Sequence, residues 1–308
     1  MVGFSFRREQ RCLGLWFSPE EALLVDREHG LIAREAACLV RPVANNKPLI
    51  WGNSALLSGK GSPLWQMGWQ PQEIKSFLQS FIATIIPLSR CQLLLPVLNL
   101  GDAYYSAFWH LLRERLNLAS LSLCSPLSCL AHLTGIRSTD LILFIEEGLA
   151  ECSLGAPLHP PLAVGYGRYL SRRLMQYVFQ QYGLKIDSLA AGSAWQRLGG
   201  LAQVQDQLTL KGVDREGKIQ YQMITAEELA PLAEAAFQPL VNLCRLQLEQ
   251  QFSEPKQKVT EVLLFGEQAD LPGLAAYLQN QLCLTVSVRK SGPDIMVKAL
   301  QEALQSKV

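Results

Sequence analysis

The feature that most restricts the fold of this chain is an order of elements that occurs twice. After residue 12 the apolar pattern reads hairpin, strand, helix, strand, and after residue 140 the same order begins again. Residues 12–16 and 22–26 predict two short strands around a turn at Ser18-Pro19-Glu20, and a second hairpin turns at His29-Gly30 into a strand over 31–37. In the second half, residues 141–145 and 150–154 predict strands around Glu147-Gly148, with a third strand at 162–164. A duplication of this size in 308 residues implies an α/β fold of two related domains, each with its own core, around a central cleft.

The remaining elements fill out both halves. A short strand is predicted at 49–51. Residues 71–85 carry Ile74, Phe77, Leu78, Phe81 and Ile82 at helical spacing, and a buried strand at 91–95 ends at Pro96. A helix over 102–116, a strand over 118–123 and a short helix over 125–134 follow, the last with Ser-Pro at its start. Residues 135–139 read as a linker. Beyond it come a helix over 169–182 and an alternating hairpin over 208–224. A helix then opens at Thr225 with Glu228 three residues on, a capping signature, and reaches about residue 252. Pro231 and Pro239 predict a kink or break in it. A strand at 261–265, a helix at 271–282, a strand at 284–288 and a helix at 293–304 complete the chain.

Charge excludes one class of partner. With 28 basic and 27 acidic residues the net charge is +1, which supplies no electrostatic footprint for nucleic acid. Charged residues make up only 18% of the chain, which reads either as burial against a second copy or another protein or as a large core with many Leu and Gln residues. The eight cysteines are scattered, without a C-x-x-C pair or histidines at ligand spacing, so no metal is expected. The first residues lack the apolar core of a leader, and no apolar run approaches about 18 residues; a cytoplasmic protein with reduced thiols is the expectation.

Six short segments stand in an order that resembles the actin and heat-shock ATPase superfamily, in particular its bacterial MreB branch. Leu13-Gly14-Leu15-Trp16-Phe17-Ser18-Pro19 stands where that family has its first phosphate loop, L-G-I-D-L-G-T. Trp51-Gly52-Asn53-Ser54-Ala55 stands at its V-G-x-x-A segment, and Cys124-Ser125-Pro126 at E-E-P. The run from Phe144 to Glu151 (FIEEGLAE) replaces the second loop, D-I-G-G-G-T-T-E, and Gly165-Tyr166-Gly167 replaces V-G-G-D. The run from Phe265 to Leu274 replaces the adenosine loop, T-G-G-G-A-L-L-x-G-L. The resemblance spans nearly the whole chain. It implies an actin-like, ribonuclease H-like bilobed fold: domain I from 1–139 with 289–308 and a small subdomain near 31–70, domain II from 140–288 with a small subdomain near 185–235.

The resemblance also implies a nucleotide site, and the residues argue against it. The family holds Mg²⁺ through a carboxylate in the first loop, lets glycine backbones approach phosphates in all three, and positions the attacking water. Here Trp16 replaces the carboxylate, and Ser18 and Pro19 replace Gly and Thr. Phe144 replaces the second carboxylate. Glu146 and Glu147, ahead of Gly148, replace two glycines and would repel phosphate. After Gly266 in the third loop, Glu267 and Gln268 replace two more. Near the catalytic turn Asp102 is the acidic residue. Neither ATP nor Mg²⁺ is expected as a cofactor, no residue is expected to be catalytic, and Trp16, Phe144 and Phe265 are expected to line or plug the cleft.

Two apolar segments suggest contacts. Val2, Phe4 and Phe6 beside Arg7 and Arg8 read either as a weak membrane-surface tip or as an unstructured start. Leu64, Trp65 and Trp69 lie in an apolar loop that reads as an interface or membrane loop, or as one that folds back. His29, His110, His132 and His159 are far apart, and Ser125 reads as a helix cap beside a buried Cys124. The expectation is a non-hydrolysing, MreB-like cytoskeletal or scaffold protein that assembles with itself or an actin-like paralogue near the cytoplasmic membrane. Two rivals are an ATP-binding filament protein with slow hydrolysis and a monomeric adaptor on the same fold.

Overall fold

The computed structural model describes residues 10–18, 21–40, 50–58, 62–63, 71–97, 113–133, 135–146, 149–154, 162–165, 170–199, 201, 207–251, 259–289 and 293–306. The chain divides into two compact units, Met1–Thr134 with Pro293–Val308, and Gly135–Gly292.

In the first unit, β1 (Arg11–Phe17), β2 (Glu21–Asp26) and β3 (Gly30–Ala36) form an antiparallel meander. β4 (Cys38–Val40), β5 (Ile50–Trp51) and β6 (Ser62–Pro63) make a separate small sheet, and α1 (Gly52–Leu57) packs on β4. After α2 (Pro71–Ala83), β7 (Cys91–Pro96) returns parallel to β1, and β8 (Ser120–Cys124) lies parallel to β7. The sheet order is β3-β2-β1-β7-β8.

Strand alternation assigns each face a different layer. Leu13 and Leu15 join Ile74, Phe77, Leu78, Phe81 and Ile82 of α2 in one core, the helical stripe that the spacing predicts. On the other face Gly14 meets α8 (Pro293–Ser306): a Cβ there would lie 2.9 Å from Leu300 Cδ2. That helix also packs on the short α3 (Pro126–Leu130).

The second unit repeats the sheet. β9 (Asp140–Glu146), β10 (Leu149–Leu154) and β11 (Leu162–Gly165) form the meander; β14 (Glu261–Phe265) lies parallel to β9, and β15 (Thr285–Val288) parallel to β14. The order β11-β10-β9-β14-β15 has the same succession of antiparallel and parallel pairs as the first sheet. Between β11 and β14 the chain forms α4 (Leu170–Tyr182), α5 (Ser188–Leu198), the hairpin β12 (Gln207–Val213) and β13 (Ile219–Thr225), and α6 (Ala226–Gln251); α7 (Leu274–Leu282) joins β14 to β15.

Two local details differ from the sequence reading. Pro231 and Pro239 do not break α6, which is one helix of 26 residues. Its buried stripe of Leu229, Ala233, Phe237, Leu240, Val241 and Cys244 supplies packing that outweighs the roughly 3 kcal/mol that an interior proline costs. The helix opens as the capping signature predicts: Glu228 N–H donates to Thr225 Oγ1 at 3.2 Å, and Thr225 N–H donates to Glu228 Oε2 at 3.3 Å. Helix α5 was not anticipated. It runs from an Asp187 cap, whose carboxylate accepts Ala190 N–H at 2.7 Å, to Gly199 in the left-handed region at φ +62°.

Candidate functional site

The loop positions singled out in the sequence lie at equivalent places in the two sheets. In the first unit, Trp16 is buried on the face of β1 that carries Gly14, opposite Leu13 and Leu15. Ser18 is buried and folds onto its own hairpin: its N–H donates to the Glu21 carbonyl at 2.9 Å, and its hydroxyl accepts Glu21 N–H at 3.1 Å. Both groups are therefore committed to closing the β1–β2 turn.

In the second unit the structure brings two of the predicted segments together. Phe144 on β9 sits in register with Phe265 on β14 and with Glu151 on β10, so the three share one face of the sheet, and all are fully buried or nearly so. Beyond β14 the chain turns back onto the end of β9. Gly266 has φ +98°, and a Cβ at that position would come 2.2 Å from the Ile145 carbonyl oxygen. Only glycine admits this approach. Gln268 N–H donates to that carbonyl at 3.2 Å, and Glu267 N–H donates to Glu146 Oε1 at 3.4 Å.

Glu146 and Glu151 are both buried carboxyl groups. The pairing of Phe144 with Glu151 and of Glu146 with Leu149 places them diagonally on one face of β9–β10. When ionised they oppose any anion at this edge of the sheet. In either state Glu146 occupies space that glycine would leave open.

Pro19, Glu147, Gly148 and Asp102 lie outside the described residues, as do Val2, Phe4, Phe6, Arg7, Arg8, Leu64, Trp65 and Trp69. Ser125 caps α3, its Oγ accepting Leu127 N–H at 3.1 Å, with Cys124 Sγ 3.5 Å from Cys129 Sγ. His29 is bound to Asp26 through Nδ1 at 2.9 Å. Burial raises the thiols of Cys91, to about 12, and of Cys152, which leaves both protonated at neutral pH. Among the described residues no group of three or more His, Cys, Asp or Glu is arranged to hold a metal ion. Nor is any helix among them long and apolar enough to cross a membrane.

Over nearly its whole length the chain is similar in fold to solved structures of other proteins. MreB5 of Spiroplasma citri, in structures bound to ADP and to AMPPNP, superposes with a TM-score of 0.77 at 13% identity, over 96% of this chain and 95% of that one. MamK in a double helical filament superposes with a TM-score of 0.79 at 13% identity, over 96% of this chain and 99% of that one. The fold is actin-like. Neither a protein-family model nor a curated protein sequence matches the chain.

An actin-like fold implies Mg·nucleotide at the loops, and the described residues do not fit it. The first loop offers a buried indole in place of a carboxylate. The second offers Phe144 and the Glu146 carboxyl. In the third, the N–H groups of Glu267 and Gln268 are bonded to Glu146 and Ile145.

Proposed function

We propose that this chain is a non-hydrolysing actin-like scaffold, assembling with itself or with an actin-like paralogue near the cytoplasmic membrane. The observation that carries the reading is the bond from Glu267 N–H to the Glu146 carboxyl, with Gly266 pressed onto Ile145. A carboxyl group here takes the backbone donor that a nucleotide loop would offer. It ties the second and third loops together without a ligand, and phosphoryl transfer depends on such donors and on a metal-holding carboxylate.

Assembly is supported by likeness to MamK, solved as a double helical filament, and by the low charge fraction of 18%. On this reading the internal bonds stand in for a ligand, and nucleotide does not control assembly.

High-speed sedimentation with negative-stain microscopy tests this. The full chain, at rising concentration and with an actin-like paralogue from the same cell, should pellet as ordered polymer equally well with and without Mg·ATP, and no phosphate should be released. Polymer that forms only with Mg·ATP and releases phosphate would establish the slow ATPase filament instead. A chain that stays monomeric alone and with the paralogue would establish the adaptor.

A further inference from the structure

The hairpin β12–β13 is a two-stranded sheet, and the bonding pattern identifies the residues of its β12 edge one by one. Asp214 N–H bonds the Lys218 carbonyl across the turn, so Gly212, Leu210 and Leu208 take the ladder bonds to β13. Gln207, Thr209, Lys211 and Val213 therefore direct their N–H and C=O groups to the opposite edge. Among the described residues Val213 alone finds a partner there: it exchanges two bonds with Lys185, Lys185 N–H to Val213 O at 2.8 Å and Val213 N–H to Lys185 O at 2.9 Å. Lys185 is the first rung of a third strand. After Ile186 the chain leaves the edge at Asp187 to start α5.

Among the described residues the rungs at Lys211 and Thr209 have no partner on this edge. Beside them runs a groove of about 620 Å³, with the β12 edge as one wall and the α5 face of Asp187, Ala190, Ser193 and Arg197 as the other. Ala190 and Ser193 are small enough for a backbone to pass. Lys185, Arg197 and Lys211 are exposed around the groove, and among the described residues Arg197 and Lys211 make no ion pair. Asp187 is occupied as the α5 cap.

We infer that this groove binds an extended acidic peptide segment, which adds to β12 as the strand that Lys185 begins. Main-chain bonds to Thr209 and Lys211 supply register, and the three cations select the charge. The same lysines oppose pairing of this edge with a second copy, because two β12 edges would bring Lys211 against like charge. The inference does not depend on the state of the nucleotide loops.

Fluorescence polarisation of the full chain with a labelled eight-residue peptide alternating glutamate and valine tests it. The lysine–valine analogue should bind at least about tenfold more weakly. N-methylation of alternate amides along the pairing edge should weaken binding by about tenfold or more, the loss expected for two main-chain bonds. Lys211→Glu and Thr209→Pro should each do the same. Thr209→Pro removes an N–H that the hairpin itself does not use, and circular dichroism checks that the variant folds. Equal binding of the acidic and basic probes, indifference to N-methylation, or no binding at millimolar probe would overturn the inference. So would a wild-type dimer that Thr209→Pro dissociates, which would assign the edge to a second copy.

Discussion

Replacing Gly266 by alanine tests the contact on which the reading of the loops rests. At φ +98° an L-residue pays about 1–2 kcal/mol for the backbone conformation alone. The new Cβ would also lie 2.2 Å from the Ile145 carbonyl oxygen, closer than any real contact, so the end of β9 or the loop must move. That carbonyl accepts Gln268 N–H, and the adjacent turn holds Glu267 N–H on Glu146, so movement weakens two bonds worth about 1 kcal/mol each. The sum is a loss of about 3–4 kcal/mol. Gly217→Ala is the matched control: φ is +83° but nothing lies within 4 Å, which leaves the conformational cost of about 1–2 kcal/mol. Urea unfolding of both variants, with hydrogen exchange over residues 140–146, gives the difference. Equal losses in the two variants would refute the close approach. So would a Gly266→Ala protein more stable than wild type, the result expected where alanine fits without strain.

Three further outcomes follow from the geometry. Thr225→Ala should lower stability by about 1 kcal/mol in urea unfolding and increase hydrogen exchange in the first turn of α6, because it removes one half of the reciprocal cap. Burial alone would raise the Asp26 carboxyl, but the N–H groups of Glu28 and His29, the His29 ring and Arg11 outweigh it and hold the group below its ordinary value. Its folded pKa is then below the unfolded one, so its contribution is present above about pH 4 and is lost as pH falls through the folded value; Asp26→Asn should match wild type in acid urea melts and fall behind at neutral pH. Alkylation followed by mass spectrometry should label the exposed Cys12 and Cys283 in the native chain, while Cys91 and Cys152 stay protected until unfolding.

What was legible in the sequence was whatever rests on local period and local chemistry. The strands at 91–96 and 261–265 are apolar runs bounded by turns, and the α2 stripe and the Thr225–Glu228 cap are patterns within a few residues. The duplication was legible because both halves open with the same order of apolar strands and turns, although the connection after β10 is longer than the one after β2. Helix α5 was missed although Asp187, Gly199 and the buried set Ala191, Ala194, Trp195 and Leu198 mark it; Gly192 and Ser193 in its middle weaken the helical signal. The groove beside that helix was missed with it. The small β4–β5–β6 sheet was visible only at 49–51, since strands of two or three residues carry no period and depend on partners such as Leu39 and Trp51. The bond between Glu146 and Glu267 joins residues 121 apart, and no local pattern encodes it.

The central claim is that the actin-like loops of this chain do not take Mg·ATP, and a thermal-shift titration tests it most directly. The full chain is titrated with Mg·ATP to millimolar concentration, beside ADP and a metal-free control. A ligand at about 100 times its Kd stabilises the folded state by about 2.7 kcal/mol, a shift that is easily resolved. The account predicts a flat response in all three series. A saturable, Mg²⁺-dependent rise in Tm would contradict it and make the nucleotide-binding filament the better description.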